Sequence, residues 1–173
     1  MATLSITTLW NVNVMLGADN LLGRLEEFDI PQPKRLTQEY KSLAMAGRIE
    51  VPVGWDKLEA RFKWASFDAD LFINTANTNQ VLPISFMGDA QGISSTGLAK
   101  DVPVTGHLTG FFKDPGPLVM KAQTNFENTS VFSAWHVDLF IGNVPIYLFD
   151  ALSNQFLIAG IDVLSAFRGN LGV

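Results

Sequence analysis

Few residues in this chain have the means for chemistry: His107, His136, Asp138 and Glu127, the run Ser94-Ser95-Thr96-Gly97, and the adjacent acids Glu26 and Glu27. His136 and Asp138 stand two apart, which on a strand puts them on one face and allows a carboxylate–imidazole pair. With Glu127 they sketch a metal site, but neither a His-x-x-x-His pair nor a third ligand completes the donor set that zinc takes. A lone histidine among Thr and Gly, as His107 is, serves more often as a hydrogen-bonding group than as a base. The Ser-Ser-Thr-Gly run lacks the Gly-Lys-Ser or Gly-Lys-Thr ending that grips a phosphate. Glu26 and Glu27 point to opposite faces of a strand and cannot flank one glycosidic bond, so they read as solvated charge. No cysteine is present, which removes disulfides, thiolate metal sites and a cysteine nucleophile and fits the cytosol. The expectation is a protein with no catalytic site, no metal and no cofactor.

The elements that hold these residues must come from an apolar, charge-poor chain. Hydrophobic residues make up 47% of the 173, with thirteen Phe and four Trp, so the chain can bury a substantial core and is read as one domain over residues 1–173. Only 17% of residues are charged, below the roughly 25% of ordinary soluble proteins, and the net charge is -5. A low charge favours a subunit whose surface partners cover, and the negative sign argues against gripping a phosphate backbone. The amino terminus has neither a basic region nor a long apolar run, so no targeting segment is expected. The most apolar stretch, residues 131–160, is interrupted by His136, Asp138, Asn143, Pro145, Asp150 and Asn154, too often for a membrane helix.

Period two dominates the pattern. Trp10, Val12, Val14 and Leu16 alternate with Asn11, Asn13 and Met15, and Leu58, Ala60, Phe62 and Trp64 alternate with Glu59, Arg61 and Lys63, both marking strands. Val131, Ser133, Trp135, Val137, Leu139 and Ile141 are assigned to one face of a third strand and His136, Asp138 and Phe140 to the other. Gly142-Asn143 then supplies a hairpin turn, with residues 147–149 pairing back. Strands are also expected over residues 82–87 and 102–112, separated by a loop over residues 88–96. One main helix is expected at about residues 67–76, capped by Ser66, with Asp68 and Asp70 near the positive end of its dipole, covering an open end of the barrel. The fold class is mainly β, an antiparallel barrel or sandwich with that one main helix.

Two segments do not fit a self-contained barrel. Residues 38–54, with Tyr40, Leu43, Met45, Gly47, Ile49 and Val51, are more apolar than a solvated loop should be, and residues 1–9 are apolar and uncharged. Greasy loops usually have partners, the alternative being that both fold back on their own barrel. Residues 160–173 form a short ending with Ile161, Leu164, Phe167 and Leu171 at spacings of three or four around Asp162 and Arg168, the pattern of a helical turn or two. Asp162 is expected to cap that turn and Arg168 to approach its carboxyl end, while Leu164, Phe167 and Leu171 dock on the barrel or on an adjacent subunit.

This ending, Gly-x-Asp-x-Leu running into Arg-x-Asn-Leu-Gly, closely resembles the carboxyl terminus of the major tail tube proteins of contractile-tailed bacteriophages. Tyr40-Lys41 leading to Met45 and Gly47, then Gly54 and Leu58-Glu59-Ala60, is similar to that family's pattern. So is Val104-x-Gly106-x-Leu108-x-Gly110 followed by Lys113-Asp114-Pro115-Gly116. The resemblance spans roughly residues 9–173; it departs where residues 117–125 are nearly uncharged and His136 follows Trp135.

The resemblance implies a structural subunit of the inner tube of a contractile tail. Hexameric rings of identical copies would stack into a tube, with residues 38–54 as a long inter-subunit loop. Tail sheath, baseplate and tail-terminator proteins would be its partners, and DNA would pass through the lumen without specific binding. It would be assembled in the host bacterial cytoplasm and located in the virion. A tube for a DNA-free contractile particle is the first alternative, and a lipocalin-like barrel holding an apolar ligand the second. Because the chain is acidic, the lumen is expected to be negative or near neutral.

Overall fold

The computed structural model describes residues 5–43, 46–66, 68–94, 97–98, 101–119 and 126–172. Met45, Phe67, Ser95, Thr96 and residues 1–4 and 120–125, on which sequence expectations fell, lie outside them. In chain order the strands are β1 (Ser5–Leu16), β2 (Asp19–Asn20), β3 (Leu25–Asp29), β4 (Arg35–Tyr40), β5 (Ile49–Trp55), β6 (Leu58–Trp64), β7 (Leu82–Ser94), β8 (Gly97–Leu98), β9 (Val102–Asp114), β10 (Asn128–Ile141), β11 (Val144–Asp150), β12 (Gln155–Ile158) and β13 (Ile161–Asp162). Helix α1 (Ala69–Ala76) lies between β6 and β7, and α2 (Ser165–Leu171) follows β13.

Every pairing is antiparallel, and β10 organises the fold. One edge of β10 pairs with β9 over most of its length; the other pairs with β6 from Asn128 to Ala134 and with β11 from His136 to Ile141. The sheet therefore splits, one branch running β11-β10-β9-β7-β1 and the other β10-β6-β3. The branches fold over each other: Phe28 of β3 lies 5.5 Å from Phe86 of β7 and 4.9 Å from Phe62 of β6, ring centroid to centroid. Phe62, Phe112 and Phe132 meet edge to face and Trp64 stacks beside Phe62. These rings fill the space in which a lipocalin-like barrel would hold its ligand. A polar string crosses it: Trp64 Nε1 donates to Ser130 Oγ at 2.9 Å, and that hydroxyl donates to Pro115 O at 2.8 Å.

Strand β6 alternates as its sequence implies, with Leu58, Ala60, Phe62 and Trp64 all buried. The face assigned to β10 is correct only after its midpoint. A bulge between Ala134 and His136 shifts the register at Trp135, so Ser130, Phe132 and Ala134 face the core before it and Val137 after it. A bulge adds one residue to a period of two and exchanges the faces. Residues 88–94 are not loop but the second half of β7, paired with β1 throughout. Helix α1 begins later than expected because Asp68, not Ser66, is its cap, accepting the Asp70 N–H at 3.2 Å.

Candidate assembly surfaces

The segment over residues 38–54 is a two-stranded ribbon rather than a loop. Strands β4 and β5 pair from Arg35↔Trp55 out to Tyr40↔Ile49 and, among the described residues, form a ladder with no other strand. Apolar residues on both sides stay in solvent: Leu36, Tyr40, Ile49, Val51 and Val53 are exposed, and Leu43 at the tip is 97% exposed. Tyr40, Leu43, Gly47 and Ile49 thus sit together on this arm. A lone two-stranded ribbon is marginal in water, and beyond the backbone ladder two side-chain contacts among the described residues support it: Thr37 Oγ1 donating to Glu50 Oε2 at 3.1 Å, and the Arg48–Glu39 ion pair at 2.9 Å.

The arm is held at its root. Trp55 packs 4.7 Å from Phe156 and 5.8 Å from Phe149, Arg35 lies over the Trp55 ring at 4.7 Å, and Asp56 N donates to Lys34 O at 2.8 Å. Each aromatic pair adds about 0.5–1.5 kcal/mol beyond burial. Beside this root opens a cavity of about 530 Å³, lined among others by Trp55, Leu58, Trp135, Phe149, Leu164 and Phe167.

The carboxyl-terminal residues reach the same cavity. Asp162 Oδ1 accepts the Leu164 N–H at 2.9 Å just ahead of α2, and its other oxygen forms an ion pair with Arg168. Arg168 therefore turns back to Asp162 and to the Asn154 carbonyl, 3.0 Å away, rather than approaching the carboxyl end of the helix, where Gly172 in the left-handed region closes the turn. The Arg168 hydrogen bond holds the Asp162 carboxyl below the usual carboxylate range. Leu164 packs on the core, but Phe167 and Leu171 stay about half exposed at 48% and 56%. Docking of these two on the chain's own barrel is corrected by that exposure.

A further open feature is a strand edge. From Ser5 to Asn13 the side of β1 opposite β7 has no strand partner among the described residues, since β2 pairs only with Met15 and Leu16. A bulge at Trp10 on this strand leaves the indole 73% exposed.

The two outward faces differ in charge. Beyond the core on β6, β3 and the end of β9, Lys63 pairs with Glu26 at 3.0 Å, and Glu59 takes both Lys57 at 2.7 Å and Lys113. On the outer face of β1, β7, β10, β11 and of β9 as far as Thr109, register places Asn11, Asn13, Met15, Ser85, Asp89, Thr105, His107, Thr109, His136, Asp138 and Asp150, with no Lys or Arg among the described residues.

That face also holds the candidate chemistry. Asp138, 8% exposed, receives His107 Nδ1 at 2.9 Å and has His136 Nε2 at 3.6 Å, while His136 Nδ1 stands 3.5 Å from Asp150 Oδ2. The Asp138 contact raises the His136 imidazole above its ordinary range. Burial pushes Asp138 up, but contacts with His136 and His107 outweigh it and hold the carboxyl low. The His136–Asp138 pair that the spacing allows is present and His107 joins it from the next strand; Glu127 lies outside it, bridged to Val119. Among the described residues no cluster has the donors for a metal ion. Sequence reasoning missed Trp55, Trp135 and Asp150 as parts of these surfaces, since only strand register brings them into place.

The family model for phage tail tube protein FII matches residues 6–172. No curated protein sequence matches the chain. A chain of the sheath–tube complex of an extracellular contractile injection system, in its extended state, superposes with a TM-score of 0.50 at 14% identity, covering 75% of this chain and 87% of that one. A chain of the sheath/tube terminator of an extracellular contractile injection system gives a TM-score of 0.51 at 12% identity, covering 76% and 94%.

Proposed function

The chain belongs to the phage tail tube protein FII family, and from that premise we propose that it forms hexameric rings that stack into the inner tube of a contractile tail. The unpaired edge of β1 carries this reading. An open edge invites uncontrolled pairing, and a neighbouring copy that supplies the missing strand closes the sheet into a barrel. Head-to-tail contacts that close give rings, and rings that stack give a filament. Sheath, baseplate and terminator proteins are the tube's partners in this reading.

The outer face of β1, β7, β9 and β10 lines the lumen. Its lack of Lys and Arg supports this assignment, because a channel without cations offers phosphates no contacts to hold them and DNA slides through. The face bearing the Lys63–Glu26 and Lys57–Glu59–Lys113 pairs then looks outward. The same lumen serves a DNA-free contractile particle equally well; nuclease-protected DNA in purified particles separates the two.

Electron microscopy of the purified protein tests the proposal. Rings or stacked tubes are expected, with His107 and Asp138 toward the channel; a monodisperse 19.0 kDa monomer at all concentrations would overturn it. A channel lined by Lys63 and Lys113 would overturn the lumen assignment alone.

A further inference from the structure

We propose that the cavity at the root of the arm receives the arm tip of a second copy of this chain, with Leu43 entering among Trp55, Trp135, Phe149 and Phe167 and Lys41 meeting Asp56 at the rim. The proposal rests on the reading of this chain as a self-assembling tube subunit and names the surface that assembly uses.

The tip and the cavity cannot meet within one copy. Arg35 and Trp55 are the first pair of the ribbon and line the cavity; Tyr40 and Ile49 are the last pair. Five residues of strand at about 3.4 Å each hold the tip on the order of 17 Å from its own root. Leu43, 97% exposed, touches essentially nothing of its own chain. The cavity has aromatic and apolar walls at Trp55, Leu58, Trp135, Phe149 and Phe167 with charged residues also in its lining, Arg35, Asp56, Lys57 and Asp150, and its about 530 Å³ is ample for a leucine side chain.

Charge identifies the occupant. Among the described residues, Arg48 is paired with Glu39 and Lys57 with Glu59, and Arg35 lies over Trp55. Lys41, two residues before Leu43, has no ion-pair partner among them, and neither does the carboxylate of Asp56 on the cavity rim, which accepts only the backbone N–H of Lys57 at 2.8 Å. An unmatched cation on the tip and an unmatched anion on the receptor are complementary, and like charges at either place would repel. One copy thus presents the tip and offers the root, a heterologous contact in which each copy gives once and receives once. Phe167, half exposed in the isolated chain, becomes a wall of the filled cavity.

The chain has no cysteine, so a pair can be introduced without side reactions. In the full chain, Leu43→Cys with Phe167→Cys should give, on mild oxidation of assembled protein, a ladder of covalent oligomers on a non-reducing gel. Leu43→Cys alone can give at most dimers. Lys41→Glu and Asp56→Lys should each lower the sedimentable fraction several-fold, and the double variant should restore it. Wild-type protein that never assembles would remove the tube reading itself. Tubes that form normally, with no ladder and no effect of either charge reversal, would leave that reading standing and overturn the receptor assignment. Melting of the unassembled variants should match wild type, because neither charge is buried in the core; unfolded variants would move the decision to the cysteine ladder, whose absence overturns the assignment.

Discussion

Oδ1 of Asp138 accepts two hydrogen bonds from one residue, the His107 backbone N–H at 2.7 Å and the His107 ring Nδ1 at 2.9 Å. Its other oxygen faces His136, which in turn faces Asp150, so a proton-sensitive string crosses β9, β10 and β11. The Asp138 contact raises His136, against the opposing effect of burial. Its contribution to stability is complete below the ordinary histidine value of about 6.5 and is lost as pH rises through the raised folded value. Asp138 is held low despite burial; its contribution is present above the ordinary value of about 3.9 and is lost as pH falls through the lowered one. The string therefore supports the fold best between about pH 4 and 6.5. The melting temperature of unassembled protein should fall as pH rises past neutrality, and His136→Gln should flatten that limb. An unchanged slope in the variant would assign the effect elsewhere.

Gly110 should be intolerant of any side chain. A Cβ there would stand 2.0 Å from Ser133 O and 2.8 Å from Ala134 Cα, both backbone atoms of β10 at its bulge. Gly110→Ala should destabilise by at least the roughly 1–3 kcal/mol of ordinary overpacking, lowering the melting temperature by about 2–4 °C per kcal/mol in a chain of this size. Gly47→Ala, with nothing within 4 Å of the added carbon, is the control. Equal melting of the two variants would refute the close approach.

Which parts were legible in the sequence follows from this geometry. The alternation of β6 survives because its strand pairs with β10 without a register shift, so period two maps directly onto burial. The faces of β10 were misassigned because the bulge at Trp135 is set by the partner strand β9, and no residue type announces it. Gly88 looked like loop punctuation, yet it lets β7 lie close against β1: a Cβ there would stand 3.1 Å from Asn11 O. The apolar character of the arm was plain, whereas its pairing into a ribbon was not. His107 and His136 were each visible, but only the register Asp138↔His107 across β9 and β10 joins them.

Truncation after Ala166 separates folding from assembly. It removes Phe167, Arg168 and Leu171, of which the two apolar residues are about half exposed in the isolated chain, so their loss leaves little core unfilled. What the fold loses is the Arg168 link to Asp162 and to Asn154 O, a clasp near the surface, where ion pairs add little to stability. The truncated protein should melt within a few degrees of wild type and fail to form tubes. A collapse of the melting temperature would show that these residues serve the chain's own core, and unchanged tubes would show them dispensable for both.

Deleting residues 42–48 removes the arm tip while the ladder from Arg35 to Tyr40 and the Trp55 anchor stay. The described residues of the tip contribute nothing buried to the core, so the unassembled variant should keep the melting temperature of wild type. Assembly should respond differently. Burying a side chain such as Leu43 completely is worth roughly 1.5–3 kcal/mol, and every subunit contact in the tube would lose that contribution at once. Polymerisation should then fail at concentrations where wild type assembles, as read by sedimentation and negative-stain microscopy. Normal tubes from the deletion would mean that the arm's apolar surface is covered by nothing in the assembly, and the inter-subunit role of Leu43 would fall with it.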